Sequence, residues 1–128
     1  MRALLDTHAF LWWATNDPRL SHRALEIMGN ESNEILFSAV SGWEIAEKAR
    51  RGRLILPRNL ETFISQQIFA NGFEVLSLRL AHALQVYSLP AYHKDPFDRM
   101  LVAQAQVEDL ALLTADRAIS HYSVKILW

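Results

Sequence analysis

Ala3-Leu4-Leu5-Asp6 is an apolar run without alternation that ends on a carboxylate, and a helical stretch from His8 to Thr15 follows it directly. A strand that is apolar at every position is buried on both faces, as in a parallel sheet covered by helices. The pattern recurs late in the chain, where Leu110-Ala111-Leu112-Leu113 leads through Thr114-Ala115 to Asp116. Between and beyond these runs, Ile35-Leu36-Phe37, Phe73 to Leu78 and Val124 to Leu127 read as further strands. Helical spacing fills the intervals. Ser21 caps a helix carrying Leu25 and Met28, which ends at Gly29-Asn30, residues that tolerate a left-handed conformation. Ser38 or Ser41 starts a helix to about Arg51, with Gly52 as its stop. Leu60, Phe63, Ile64 and Ile68 repeat at helical spacing after Asn59, and Asn71-Gly72 closes that element. Shorter and longer helices follow through Ala81 to Tyr87 and from Pro96 to about Val107. Strands alternating with helices imply right-handed crossovers, an α/β class, a central parallel sheet and helices on both of its faces.

The chain has 128 residues, 51% hydrophobic and 21% charged, and reads as a single domain over residues 1–128. No linker, internal repeat or low-complexity tract divides it. The absence of cysteine excludes disulfides and thiolate metal sites and is compatible with a reducing compartment. The longest apolar stretch, Ala9 to Ala14, is too short to span a bilayer, and no secretory signal precedes the first strand, so a cytoplasmic protein is expected. Net charge is −1, without the basic excess of a protein held on nucleic acid by its surface alone. With four of the 14 acids committed to one site, however, 10 are left against 13 Lys and Arg. Lys48, Arg50, Arg51 and Arg53 cluster, either to meet phosphate or to complement the dipole of a helix end.

Parallel strands deliver their following residues to one edge of the sheet, the crevice where open α/β folds place their chemistry. Asp6 and Asp116 arrive there from strands. Glu44 and Asp98 arrive from the starts of helices that begin at the same edge. Three or four carboxylates in one place repel strongly unless a hard cation such as Mg²⁺ or Mn²⁺ binds among them. Each has a structural alternative. Asp6 can cap the helix after it, and Asp116 can sit in a turn before Arg117. Ser41-Gly42-Trp43-Glu44 matches a capping box, and Glu44 can also pair with Lys48. In His93-Lys94-Asp95-Pro96-Phe97-Asp98-Arg99, Asp95 reads as the N-cap, with Pro96 at the first helical position. Asp98 lies above the inward stripe of Leu101, Val102 and Ala105, and an acid aimed inward needs a partner. Thr7, Ser41 and Thr114 are candidate donors that orient carboxylates or water. No histidine pair at i, i+4 suggests zinc, and each histidine reads as a surface or helix-start residue.

Leu4-Leu5-Asp6-Thr7-His8, Ser41-Gly42-Trp43-Glu44-Ile45-Ala46-Glu47-Lys48, His93 to Leu101 and Thr114-Ala115-Asp116 together resemble the PIN-domain ribonucleases, in particular the toxin subunit of VapC-type toxin–antitoxin pairs. The resemblance spans essentially the whole chain. It implies a three-layer α/β/α fold and an acid quartet at Asp6, Glu44, Asp98 and Asp116 that is both catalytic and metal-binding. It also implies Mg²⁺- or Mn²⁺-assisted hydrolysis of RNA, leaving a 5′-phosphate and a 3′-hydroxyl, and partners in the form of an antitoxin and a second copy of the chain. The sequence departs from the usual pattern in two places: Asp95 competes with Asp98 for the third acid, and His8 stands where many PIN domains have Asn. Single-stranded or looped RNA is the expected substrate, because its phosphates and bases are accessible.

A catalytically silent binding module of the same fold is the alternative, and retention of all four acids counts against it. A phosphoacceptor receiver domain would need an acidic pair after the first strand and a lysine after a late one, and neither is present. Ala9-Phe10-Leu11-Trp12-Trp13-Ala14 is apolar around the whole helix, so part of it is expected to meet a second copy or an antitoxin peptide.

Overall fold

The computed structural model describes residues 1–128. Five strands form one sheet: β1 (Arg2–Leu5), β2 (Glu34–Ser38), β3 (Glu74–Leu76), β4 (Ala111–Leu113) and β5 (Ile126–Leu127). Their order is β3-β2-β1-β4-β5, and every pair is parallel. Six helices cover it: α1 (Thr7–Ala14), α2 (His22–Gly29), α3 (Ala39–Arg50), α4 (Leu60–Asn71), α5 (Leu80–Gln85) and α6 (Pro96–Glu108). This is the expected three-layer arrangement.

The non-alternating strands fill two cores, one on each face. Ala3, Leu5, Ile35, Phe37, Leu113 and Leu127 enter one, with Phe10 and Ala9 of α1, Ile27 of α2 and Phe63 of α4. Leu4, Leu36 and Leu112 enter the other, against Leu101, Val102 and Ala105 of α6. Each buried leucine contributes roughly 1.5–3 kcal/mol relative to an exposed one, so an apolar residue at every position of β1 is what a central strand needs.

Helix ends follow the expected punctuation with two exceptions. Ser21, Ser38, Asn59 and Asp95 cap α2, α3, α4 and α6, and Gly52 and Gly72 take φ of +72° and +66° just past α3 and α4. Gly29-Asn30 does not turn left-handed: Gly29 stays in the helix and Asn30 is extended at φ −86°. Ser41 does not open a helix either. Ser38 Oγ already caps α3 by accepting the Val40 N–H, which places Ser41 and Glu44 in the helix body and removes the capping box.

The apolar ring of α1 is largely met by the chain itself. Ala9 and Phe10 are fully buried. Trp12 packs edge-on against Trp128 with Arg19 over its ring, and Trp13 packs on Phe73. No helix is long and apolar enough to cross a membrane.

Candidate active site

β1 lies between β2 and β4, so the chain departs from it in both directions and leaves a crevice at the carboxyl ends of β1 and β4. The Asp6 N–H extends the ladder by donating to Leu113 O (3.1 Å), and Thr114 N–H donates to Leu127 O (3.2 Å). The first bond holds the segment after β1 against the end of β4, and the second holds the segment after β4 against β5. Asp6 is 6% exposed and Glu44 2%, while Asp98 and Asp116 are half-buried.

Each acid is oriented by a neighbour on another element. Asp6 caps α1, its Oδ1 accepting Ala9 N–H at 2.7 Å, and its Oδ2 accepts the Thr114 hydroxyl. Thr7 Oγ1 lies 2.7 Å from Glu44 Oε1 and 2.9 Å from Ser41 Oγ, tying α1 to α3. The other oxygen of Glu44 accepts Lys48 Nζ at 2.5 Å. Asp116 Oδ1 accepts Ala118 N–H at 3.0 Å and its own N–H donates to Thr114 Oγ1 at 3.1 Å. Thr7, Ser41 and Thr114 therefore stand where donors are needed, and the capping and pairing roles considered for Asp6 and Glu44 coexist with their place in the crevice.

Asp95 is the N-cap of α6, its Oδ1 accepting Phe97 N–H at 2.8 Å, and it is exposed. Asp98, one turn further on, is the acid directed at the crevice. Ligand atoms of Asp98, Asp116 and His93 lie within 4.8 Å of one another. Asp6 and Glu44 fall outside that tight group but within electrostatic reach of it, since both push the Asp98 carboxyl upward. Burial is the largest cause of that rise, followed by the charges of Asp95, Glu44 and Asp6, and together they carry Asp98 from 3.8 to about 7. Asp6 is also raised, by burial above all, against the opposing pull of its bonds to Thr114 and Ala9. Desolvation thus outranks the like-charge repulsion expected from the acids alone.

His93 is neither a surface nor a helix-start residue. Its Nε2 is 2.8 Å from Asp116 Oδ2, its backbone N–H donates to the Tyr122 hydroxyl at 2.9 Å, and its Nδ1 is buried with no partner. Helical periodicity was blind to it because it lies in the loop before α6, five residues from Asp98. Only the packing of that loop on the segment after β4 brings it to Asp116. The carboxylate oxygens of Asp98 and Asp116, with the His93 imidazole within 4.8 Å of them, are a donor set suited to a divalent cation. The oxygen-rich remainder favours Mg²⁺ or Mn²⁺ over softer ions. A depression of about 950 Å³, between Arg2, Gln106, Asp109 and Lys125, lies at the opposite edge of the sheet and away from the acids.

The sequence matches the PIN domain family over residues 3–125. Ribonuclease VapC22 of Mycobacterium tuberculosis (strain ATCC 25618 / H37Rv) is 28% identical over 117 residues, which is 91% of this chain and 88% of that protein. VapBC2 from Rickettsia felis, solved bound to a DNA fragment from their promoter, has a chain that superimposes with a TM-score of 0.73. The match covers 99% of this chain and 98% of that one at 16% identity. A toxin–antitoxin complex from Klebsiella pneumoniae gives a TM-score of 0.63 at 15% identity, covering 98% and 96%. At such identities the structural likeness concerns the fold.

Proposed function

The chain belongs to the PIN domain family, and from that premise we propose that it is a divalent-metal-dependent endoribonuclease, the toxin of a toxin–antitoxin pair. The observation that carries this reading is that Asp98, within 4.8 Å of Asp116, also feels the charges of the buried Asp6 and Glu44. Asp6, Glu44, Asp98 and Asp116 would hold one or two Mg²⁺ ions, with Mn²⁺ as a substitute. When bound, such an ion polarises a phosphoryl oxygen and lowers the pKa of a water for in-line attack on the phosphodiester.

The protein's own part is positioning. Thr7 and Thr114 hold Glu44 and Asp6 with one oxygen each, and His93 holds Asp116. With a cation held there, Asp98 would give up its proton more readily, because the energy of burying its anion would be offset. Hydrolysis by water requires no attack by the RNA 2′-hydroxyl, so the expected products carry a 5′-phosphate and a 3′-hydroxyl.

The named complexes among its relatives support an antitoxin partner. The groove between α1 and the segment after α3, bordered by Leu11, Trp12, Leu54, Ile55, Leu56 and Phe63, suits an apolar peptide, and Ile55 is 92% exposed there. A second copy of the chain has a candidate surface of its own in the exposed Leu80, Leu84 and Tyr87, which recur at helical spacing along α5 and its continuation. Action on cellular RNA places the proposed activity in the cytoplasm. Purified protein should cleave RNA with Mg²⁺ or Mn²⁺, stop in excess chelator, and leave 5′-phosphate ends. Cleavage undiminished by chelator, or ends bearing a cyclic phosphate, would sink the proposed chemistry.

A further inference from the structure

We propose that Trp43, with the cations of the groove beside it, is a stacking platform for one unpaired base of the RNA next to the cleaved phosphate; this rests on the ribonuclease reading and goes beyond it. Trp43 immediately precedes Glu44 on α3, and successive helical residues point about 100° apart. Glu44 is accordingly buried at 2% exposure while Trp43, one position before it, stands out at 53%. The indole is braced in place. Phe97, the neighbour of Asp98, packs on it at 4.7 Å between ring centroids and 74° between planes. An aromatic ring held by the neighbours of two site acids keeps a fixed relation to the reacting phosphate.

The surroundings specify the ligand class. Trp43 and Phe97 border a groove of about 520 Å³ whose other walls include Lys48, Arg51, Arg53 and Lys94. Two acids share it, and both are engaged: Asp95 caps α6, and Glu47 lies 3.6 Å from Arg51. Arg53 and Lys94 make no ion pair, so the groove presents positive charge around a half-bare aromatic ring. That pairing is how proteins hold single-stranded nucleic acid, with cations tracking phosphates and the ring taking a base face. A duplex offers no free base face, so stacking here selects unpaired RNA. The adjoining groove with Ile55 is walled by more apolar side chains, Leu11, Leu54, Leu56 and Phe63 among them, and shares only Lys48 and Arg53 with this one. A peptide and an RNA strand thus have abutting tracks that meet at Lys48 and Arg53.

The test uses Asp98→Asn protein, which binds without cleaving, and a fluorescein-labelled single-stranded oligoribonucleotide measured alone and annealed to its complement. Trp43→Ala should weaken single-strand binding by roughly five- to a hundred-fold, leave duplex binding and the salt dependence unchanged, and be partly rescued by Trp43→Phe. Arg53→Ala with Lys94→Ala should weaken both forms and reduce the single-strand slope of log K against log salt by about 1.4. Trp43 is exposed, so an unchanged melting temperature verifies folding. Single-strand affinity unchanged in Trp43→Ala, equal losses for both RNA forms, or loss of antitoxin binding in place of RNA binding would each overturn the assignment. Those outcomes leave cleavage by the parent protein intact. A parent protein that neither cleaves nor binds RNA removes the ribonuclease reading itself, and this inference with it.

Discussion

Replacing Asp98 with Asn should stabilise the metal-free protein while abolishing its nuclease activity. A carboxyl carried from 3.8 to about 7 by the fold favours the folded state when protonated. Its contribution is fully present below the unfolded value, and it is lost as pH rises through the folded one. About 1.4 kcal/mol per pH unit over that window gives about 4 kcal/mol at full effect. Asp98 keeps partial access to solvent, and screening reduces this to about 2 kcal/mol. In a chain of this size that corresponds to roughly 6–10 °C in Tm. Melting curves in chelator should therefore coincide near pH 4 and separate by pH 8, with Asp98→Asn the more stable. Mg²⁺ at a hundred times its Kd should then raise the wild type by about 2.7 kcal/mol and the variant by far less. A separation that is constant with pH, or an undiminished gain from Mg²⁺ in the variant, would show that Asp98 is not the metal-facing acid.

Further expectations concern the residues around it. Asp95→Asn should weaken the start of α6 by at most about 0.5–2 kcal/mol and retain cleavage, because the side chain caps and does not face the crevice; loss of activity with stability intact would reverse the assignment of the two acids. Thr7→Val leaves Glu44 Oε1 without its donor and should cost about 1–3 kcal/mol in urea melts together with most of the activity. His93→Leu should weaken Mg²⁺ binding by about 10–100-fold in titration calorimetry, and His93→Gln, which keeps a donor, should recover part of it; equal affinities in all three proteins would mean His93 is packing alone. Sedimentation should report a dimer of the isolated chain and a larger assembly with antitoxin, and Leu84→Glu on α5 should shift the former toward monomer.

The layer architecture was legible because it depends on local pattern. A run such as Leu4-Leu5 or Leu112-Leu113 can be buried on both sides only at the centre of a covered parallel sheet, and that topology alone delivers Asp6 and Asp116 to one edge. Asp95 as cap and Asp98 as the inward acid followed equally from helix geometry, since α6 begins at Pro96 and turns Asp98 onto the face of Leu101 and Val102. Local pattern failed where two signals competed for one residue. Ser41 and Glu44 have the spacing of a capping box, but Ser38 lies nearer the strand end and takes the helix start, which leaves Glu44 buried in the helix body. His93 had no local signal at all. Its role exists only because β4 lies next to β1 and the loop before α6 folds over the segment after β4, so Asp116 and His93, 23 residues apart, come within 2.8 Å. The upward shift of Asp98 is likewise a tertiary property. Like charges are visible in a sequence, but the leading cause is the removal of water by burial, and that is decided when the chain packs.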